Sequence, residues 1–231
     1  MPKMNKIKTY NESDLHQKLK EYYFRKGDEM EKLIDGFYID LVQGDHLIEF
    51  QTKNFRALRR KLQKLLKSHK VKVVFPIARI KRILKRKSKK HKYSKPRKSP
   101  KKGVFFDLFH ELISISPLLN NPAFSLEVVF IEEFEKRIFD KNKTWRRNGW
   151  VIEERCLHKV LDSVLINNSQ DLFDYVFEYP VKIEFTTKDI AEILKIRINL
   201  ARKIVYCFKK MDLIEKIGSK RKFYLYQIKK A

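Results

Sequence analysis

The chain has 231 residues, of which 43% are hydrophobic, and its formal net charge is +25 at pH 7. That length gives room for one large domain or two small ones, and the charge favours a polyanionic partner, nucleic acid first. No apolar run approaches the eighteen or so residues of a transmembrane helix, and the first residues lack the apolar centre of a secretory signal. We therefore expect no membrane partner and a soluble, reducing, cytoplasmic setting. Association with the nucleoid is compatible with that setting.

The N-terminal part of the chain predicts a helix and then a strand. Leu15, Leu19, Tyr22 and Tyr23 are spaced for one helix face, and Asp14 or Ser13 could cap its start. Gly27-Asp28 ends this helix, and residues 29–37 predict a first strand.

Residues 36–53 predict two short strands joined at a two-residue loop, Gly44-Asp45. Positions whose numbers sum to 89 then face each other, so Asp40 lies opposite Glu49. Side chains alternate along a strand. Asp40, Glu49, Gln51 and Lys53 are therefore predicted on one face, and an apolar set on the other: Phe37, Ile39, Leu41, Ile48 and Phe50.

The facing pair of acids is the main chemical signal of the sequence. Directly opposed residues have Cβ atoms about 5 Å apart, where two carboxylates repel each other. A divalent metal between them, or a proton on one of them, relieves that repulsion, and Mg²⁺ or Mn²⁺ is the natural ion for oxygen ligands. A solvent-exposed sheet face with scattered polar residues is the alternative.

After the hairpin the hydrophobic period changes to that of a helix. Asn54 is a plausible N-cap, and Phe55, Leu58, Leu62 and Leu65 form the apolar stripe. The exposed side is basic and includes Arg56, Arg59 and Arg60. Residues 71–77 then predict a buried strand that lies parallel to the strand of Glu49.

The segment 79–102 holds fourteen Lys or Arg residues in twenty-four positions and no acid. Its Ser, Pro and Lys content favours a disordered basic loop over 87–102. Beyond it we predict a helix at 104–115, strands at 124–130 and 136–139, a loop at 144–150 and a helix at 157–165. Cys156 and Cys207 are predicted to be buried free thiols.

The last fifty residues predict a separate unit of two helices and a hairpin. Thr186, with Asp189 three residues later, predicts a capping box, and a second helix follows at about 198–211. Two alternating segments around Gly218-Ser219 predict the hairpin. This order is the winged-helix arrangement, in which the second helix enters the major groove. The predicted nucleic-acid contacts are Arg197, Asn199, Arg202, Lys203, Lys220 and Arg221.

The order helix, three strands, helix, strand, with the acids of Tyr38-Ile39-Asp40 and Glu49-Phe50-Gln51, resembles the PD-(D/E)XK nuclease superfamily. The resemblance covers roughly residues 14–77. It implies a restriction-endonuclease-like αβββαβ core in an α/β (α+β) chain. Gln51 stands where the family most often has Lys, as in its Glu-x-Gln variant, and Ile39 stands where Pro is common. The whole chain also looks like a group of bacterial proteins of unknown function that share the Ile-Glu-x-Gln-Thr segment.

The resemblance implies metal binding by Asp40 and Glu49, and the chemistry of phosphodiester hydrolysis suggests roles for their neighbours. Asp40, Glu49 and the backbone carbonyl of Phe50 would bind Mg²⁺ or Mn²⁺. Gln51 would orient water or a phosphate oxygen, and Lys53 would add positive charge. An accessory acid would come from one of three residues: Glu21, Glu29 and Glu31.

The sequence thus predicts a metal-dependent endonuclease that hydrolyses DNA phosphodiester bonds, with DNA favoured over RNA and a homodimer left open. We expect a nuclease-like core at 1–80, a basic loop or hairpin at 81–103, an α+β extension at 104–178 and a winged-helix domain at 179–231. The alternative is a non-catalytic DNA- or RNA-binding regulator or accessory protein on a degenerate nuclease fold.

Overall fold

The computed structural model describes residues 13–143, 148–178 and 183–229. The first part of the chain forms α1 (Asp14–Tyr23), β1 (Glu29–Ile34), β2 (Phe37–Gln43), β3 (His46–Phe50), α2 (Phe55–Leu65) and β4 (Lys70–Arg86). Ser13 caps α1, and its side chain accepts a hydrogen bond from the N–H of His16. The Asn54 side chain makes no capping bond to α2. Instead, the carboxylate of Glu111 accepts from the N–H groups of Asn54 and Phe55.

The middle of the chain forms β5 (Arg97–Lys98), a 3-10 turn (Phe105–Leu108) that leads into α3 (Phe109–Leu112), and a second 3-10 turn (Ser116–Asn120). Two long strands follow, β6 (Phe124–Phe139) and β7 (Trp150–Ile166). The last part forms α4 (Ser169–Val176), β8 (Glu184–Thr186), α5 (Thr187–Ile193), α6 (Ile198–Lys210), β9 (Ile214–Lys220) and β10 (Phe223–Ile228).

The large sheet is mixed, with the order β1-β2-β3-β4-β6-β7 and β5 paired to β4. β3, β4 and β6 run parallel to one another, and the other neighbours are antiparallel. The predicted parallel pairing of β3 and β4 is confirmed. It requires the crossover through α2, because two parallel strands cannot be joined by a tight turn. The chain is therefore of the mixed α+β class.

Each face of the large sheet has its own apolar layer. On one face, Leu15 and Leu19 of α1 pack on Leu41, Ile48 and Phe50. The opposite face is covered by α2, α3, α4 and the C-terminal unit in one continuous core. A strand that is buried on both faces has a nearly continuous apolar sequence, and the first half of β4 is an example.

Several predictions for the middle of the chain are wrong. Residues 157–165 are strand rather than helix, residues 124–139 form one strand rather than two, and the helix predicted at 104–115 is broken into a 3-10 turn and a single short helical segment. The apolar residues of β6 and β7 alternate only in part, because charged side chains on these strands pair with each other across the sheet.

The basic segment is also ordered, in contrast to the predicted disordered loop. β5 folds back on the second half of β4, with Arg82 facing Lys98. The hydroxyl of Tyr93 donates to Glu153 at 2.7 Å, and the guanidinium of Arg86 lies 4.7 Å from the centre of the Tyr93 ring. The segment is thus fixed to the extended ends of β4, β6 and β7, which together form a strongly charged arm.

The C-terminal unit has a small sheet of the order β8-β10-β9, with α5 and α6 before the β9–β10 hairpin. The predicted capping box at Thr186 and Asp189 is present. Phe208 of α6 packs between three aromatic rings of the main body, with ring centres 5.1–5.8 Å away: Phe109, Phe173 and Phe177. This contact fixes α6 against α3 and α4.

Candidate metal and nucleic-acid site

The β2–β3 hairpin has the predicted register, since Leu41 faces Ile48 and Gln43 faces His46. Asp40 and Glu49 stand one position beyond the last paired residues. There the N–H of Phe50 donates to Oδ2 of Asp40 at 2.8 Å instead of continuing the ladder. The N–H of Gln51 turns away to the carbonyl of Val74 on β4 at 2.9 Å. The two acids therefore sit at a fork where β2 and β3 separate.

The fork also ends the regular alternation of β2. Ile39 belongs to the core under α2, whereas Leu41 belongs to the layer under α1. The prediction of one continuous apolar face from Phe37 to Phe50 is therefore wrong. Asp40 lies at the switch between the two faces, which lets its carboxylate reach partners from both β3 and α1.

Asp40 is held by hydrogen bonds that favour its charged form. Nε2 of His16 on α1 lies 3.0 Å from Oδ2 of Asp40. Burial alone would raise the pKa of Asp40, but the His16 contact, the Phe50 N–H and nearby Lys20 outweigh burial and lower this pKa below its usual value. Asp40 is thus an ionised carboxylate at neutral pH.

Glu49 has the opposite electrostatic situation. It is 4% exposed. Burial and the neighbouring charge of Asp40 raise the pKa of Glu49 to about 7, although Lys61 opposes the shift. Nζ of Lys61 on α2 lies 2.5 Å from Oε1 of Glu49 and forms an ion pair with it. The second acid therefore keeps its proton to a higher pH than an ordinary glutamate does.

The sequence alone did not indicate His16 or Lys61 as site residues. Lys61 is also held by the carbonyl of Tyr38, which accepts from its ammonium at 2.6 Å. Both residues come from helices that pack on opposite faces of the sheet. In the sequence, His16 and Lys61 stand out only as polar residues on the inner side of an amphipathic helix. That position alone does not show which residue each side chain faces.

The other predicted site residues are more distant or more exposed. The side-chain amide of Gln51 donates to the carbonyls of Lys53 and Asn54, so it closes the loop before α2. The Lys53 side chain is exposed. Among the accessory acids, exposed Glu29 pairs with Lys32, exposed Glu21 accepts from Gln17, and Glu31 pairs with the buried Lys20. Of these, Glu31 is coupled to the site, through Lys20.

Two carboxylates with opposite pKa shifts form a donor set that fits a divalent cation. A metal would supply the positive charge that lets Glu49 ionise beside Asp40. The carbonyl of Phe50, the residue that follows Glu49, could add a neutral oxygen ligand. A separate cluster of Asp14, Glu154 and Cys156 also brings ligand atoms within 4.8 Å of one another. Lys136 lies inside that cluster and donates to Glu154 at 2.6 Å.

The residues predicted to bind nucleic acid are mostly exposed. Arg56, Arg59 and Arg60 lie on the outer side of α2. The outer side of α6 carries an exposed stripe of Asn199, Arg202, Tyr206, Lys209 and Lys210, which we call the α6 stripe.

The remaining predicted contacts lie beside the α6 stripe and on the hairpin. Arg197 precedes α6 and is exposed, whereas Lys203 is partly buried and lies 2.9 Å from Nδ1 of His110. Lys220 and Arg221 are exposed at the tip of the β9–β10 hairpin. Trp145 and Arg146, in the loop predicted at 144–150, lie outside the described residues.

Cys156 and Cys207 are both buried free thiols, as predicted. Burial raises the pKa of Cys156 to about 11 and that of Cys207 to about 12. Neither is therefore a nucleophile at neutral pH. No helix within the described residues is long and apolar enough to cross a membrane.

Comparison with known proteins places the large sheet in one family. The family model described as a domain of unknown function (DUF8091) matches residues 13–167, which run from α1 to the end of β7. An uncharacterized protein of Treponema pallidum (strain Nichols) is 33% identical over 169 residues, which cover 72% of this chain and 66% of that protein, just under two thirds of its length. No solved structure matches the chain. The chain belongs to the DUF8091 family.

Proposed function

We propose that the protein is a metal-dependent nuclease that hydrolyses phosphodiester bonds of DNA. The observation that carries the proposal is the fork, where an ionised Asp40 and a Glu49 with a pKa of about 7 meet on adjacent strands. The two carboxylates of such a pair repel each other unless they share a proton or a cation. A divalent ion between them could activate water and neutralise a phosphate.

The element order supports the same proposal. The chain has α1, three antiparallel strands, α2 and a parallel β4, which is the order that a PD-(D/E)XK core would require, and the acids lie on the second and third strands. Lys61 supplies the nearby ammonium that Gln51 lacks. When bound, the metal would polarise the phosphate. Asp40 and Glu49 would hold it, and Lys61 would orient the attacking water or stabilise the departing oxygen.

The charge distribution supports nucleic acid as the substrate. α6 and the β9–β10 hairpin follow the order of a winged helix, and β8 pairs with β10. The side chains of the α6 stripe are exposed. Among the described residues, their polar contacts are those within the stripe, between Arg202 and Asn199 and between Lys210 and Tyr206. Arg and Asn side chains suit both phosphates and base edges, and an exposed Tyr can pack on sugar or base. We propose that this unit positions the duplex and that Arg56, Arg59 and Arg60 bind its backbone.

Cleavage of supercoiled plasmid by purified protein with Mg²⁺ or Mn²⁺ tests the proposal. Wild type should nick or linearise the plasmid, while Asp40→Asn and Glu49→Gln should not. Asp45→Asn is the matched control, because Asp45 lies at the exposed turn of the same hairpin. Equal cleavage by all four proteins would show that the activity does not come from this site.

A non-catalytic nucleic-acid-binding protein is the second candidate. Its support is that both acids already have cationic or hydrogen-bonding partners, His16 for Asp40 and Lys61 for Glu49. A site whose charges are satisfied by protein groups can persist for structural reasons alone. Retained duplex binding without cleavage of any of several DNA and RNA substrates would favour this candidate.

A further inference from the structure

A cavity of about 430 Å³ lies between β4, the basic segment and the extended ends of β6 and β7. Its floor is Phe75, Pro76, Ile77 and Ala78 of β4, and Ser99, Lys101 and Gly103 form the opposite wall. The volume falls within the range of small-ligand pockets. The cavity is therefore large enough for a charged group together with part of the molecule that carries it.

Gly103 shows how closely the basic segment is held over this cavity. Its N–H donates to the carbonyl of Ala78 at 2.9 Å. A Cβ at Gly103 would lie 2.6 Å from Cγ2 of Ile77 and 2.8 Å from the carbonyl oxygen of Ala78. A side chain does not fit there, so the wall is set at a fixed distance from β4.

The cavity wall carries more positive than negative charge. Lys81, Lys101, Arg137 and Arg155 line it, against Asp107 and Glu135. Asp107 is occupied with the backbone, since its carboxylate accepts from the N–H of Val104 at 3.1 Å. With Glu133 behind the wall, which pairs with Lys81 and Arg155, four cations stand against three acids, so the surroundings of the cavity are weakly positive.

These cations are fixed in place by buried acids. Glu133 is fully buried, and its Oε2 accepts two hydrogen bonds from Arg155, at 2.6 and 2.9 Å. Lys81 lies 3.0 Å from Glu133 and 2.8 Å from Glu135, and Arg137 lies 2.5 Å from Glu135. Burying such a network costs desolvation energy, and its rigid cations are suited to hold an anion.

The cavity opens on the same face of the sheet as Glu49. Phe75 and Ile77 belong to the core under α2, and Lys61 of α2 pairs with Glu49. Val73 faces Glu49 in the β3–β4 ladder. At 3.3 Å per residue, the cavity floor begins about 7 Å along β4 from the level of the acid pair and continues away from it.

We propose that this cavity is a phosphate subsite, which receives one phosphate group of a nucleic-acid strand that runs past the Asp40–Glu49 fork. The proposal rests on the proposed function for its substrate class. The phosphate is either a terminal phosphomonoester or an internal phosphodiester. The rigid Arg and Lys groups provide several N–H donors, which suit the oxygens of either form.

The test measures binding in EDTA, so it does not depend on cleavage. Three fluorescent DNA probes of equal duplex length are compared by anisotropy at one salt concentration: a hairpin with a 5′-phosphate, the same hairpin with a 5′-hydroxyl, and a dumbbell closed at both ends. Lys101→Met removes a cavity cation, and Lys102→Met is the matched control, because Lys102 is exposed and does not line the cavity.

Lys101→Met should bind the preferred probe about tenfold more weakly than Lys102→Met does, as expected for one lost charge-assisted contact. A loss confined to the 5′-phosphorylated hairpin identifies a terminal phosphate, and an equal loss on all three probes identifies an internal one. A second variant, Ser99→Leu, narrows the cavity without changing charge and should show the same probe pattern.

Equal affinities of Lys101→Met and Lys102→Met on every probe, with Ser99→Leu like wild type, would overturn the phosphate subsite. Thermal melts of each variant confirm that the compared proteins are folded. If plasmid cleavage is absent but the Lys101→Met loss is found, the subsite stands and the nuclease proposal fails.

Discussion

The N–H of Phe50 donates to the carboxylate of Asp40 across the β2–β3 fork at 2.8 Å. This bond takes the place of the next rung of the ladder and fixes one acid beside the strand that carries the other. Together with the stronger His16 contact it keeps Asp40 ionised, and the charge of Asp40 adds to burial in raising the pKa of Glu49. The electrostatics of the site thus depend on the backbone geometry of the hairpin as well as on the helices packed against it.

Metal binding should depend on pH with a midpoint near the pKa of Glu49. Below its pKa of about 7, Glu49 holds a proton that the metal must displace, so affinity for Mn²⁺ should fall about tenfold per pH unit. The Mn²⁺-induced rise in Tm should therefore be larger at pH 8 than at pH 6. An equal rise at both values would contradict the assigned protonation of Glu49.

The same pKa shift predicts the stability of the metal-free protein. The folded pKa of Glu49 is raised above 4.5, so the folded state holds an extra proton between about 4.5 and 7. The contribution of Glu49 to the free energy of unfolding is thus full below pH 4.5 and is lost as pH rises through 7. Urea titration at several pH values measures the unfolding free energy of wild type and of Glu49→Gln. As pH rises from about 4.5 to 7, the unfolding free energy of wild type should fall relative to that of Glu49→Gln.

Lys61 should be required for cleavage but not for metal binding. Lys61→Met removes the ammonium beside Glu49, and loss of a group that handles protons or charge in the transition state typically costs about 100-fold or more in rate. Lys67→Met is the control, because Lys67 is exposed in the turn that directly follows the same helix. Unchanged cleavage by Lys61→Met at saturating Mg²⁺ would remove Lys61 from the mechanism.

The α6 stripe should contribute to duplex affinity through the phosphates. Arg202→Ala is expected to weaken binding of any duplex and to reduce the slope of log affinity against log salt by about 1. Lys188→Ala on α5 makes the same charge change away from the stripe and should leave the slope unchanged. A larger effect of Lys188→Ala than of Arg202→Ala would place the duplex elsewhere on this unit.

Gly103 should be sensitive to a single methyl group. Gly103→Ala forces the basic segment off β4 and should cost about 1–3 kcal/mol of unfolding free energy, as overpacking does. Gly218→Ala is the control, since a Cβ there meets nothing within 4 Å. Denaturant titration of both variants compares them, and equal stability would show that the segment can shift without cost.

The local signals of the sequence predicted the hairpin register and the start of α2, but not the fork. Gly44-Asp45 set the hairpin register, and the change from alternation to helical spacing at Phe55 placed α2. The prediction of a single apolar face was wrong, because the alternation of side chains does not show that β2 switches faces at Asp40. His16 and Lys61 approach the site only through tertiary packing, which no local pattern contains.

The arm was the least predictable part of the fold. β4, β6 and β7 continue well beyond their apolar halves as charged strands, and their charges are paired across the sheet, as in Lys81 with Glu133. A strand with charges on both faces has no apolar period, so composition indicates a loop. The same pairing explains why the basic segment is ordered.

One measurement tests the central claim most directly, a titration of the metal-free protein with Mn²⁺ followed by electron paramagnetic resonance at pH 8. We expect wild type and Asp45→Asn to bind Mn²⁺ with the same affinity, and Asp40→Asn and Glu49→Gln each to lose that binding. If all four proteins bind Mn²⁺ equally, or none binds it, the fork of Asp40 and Glu49 is not a metal site.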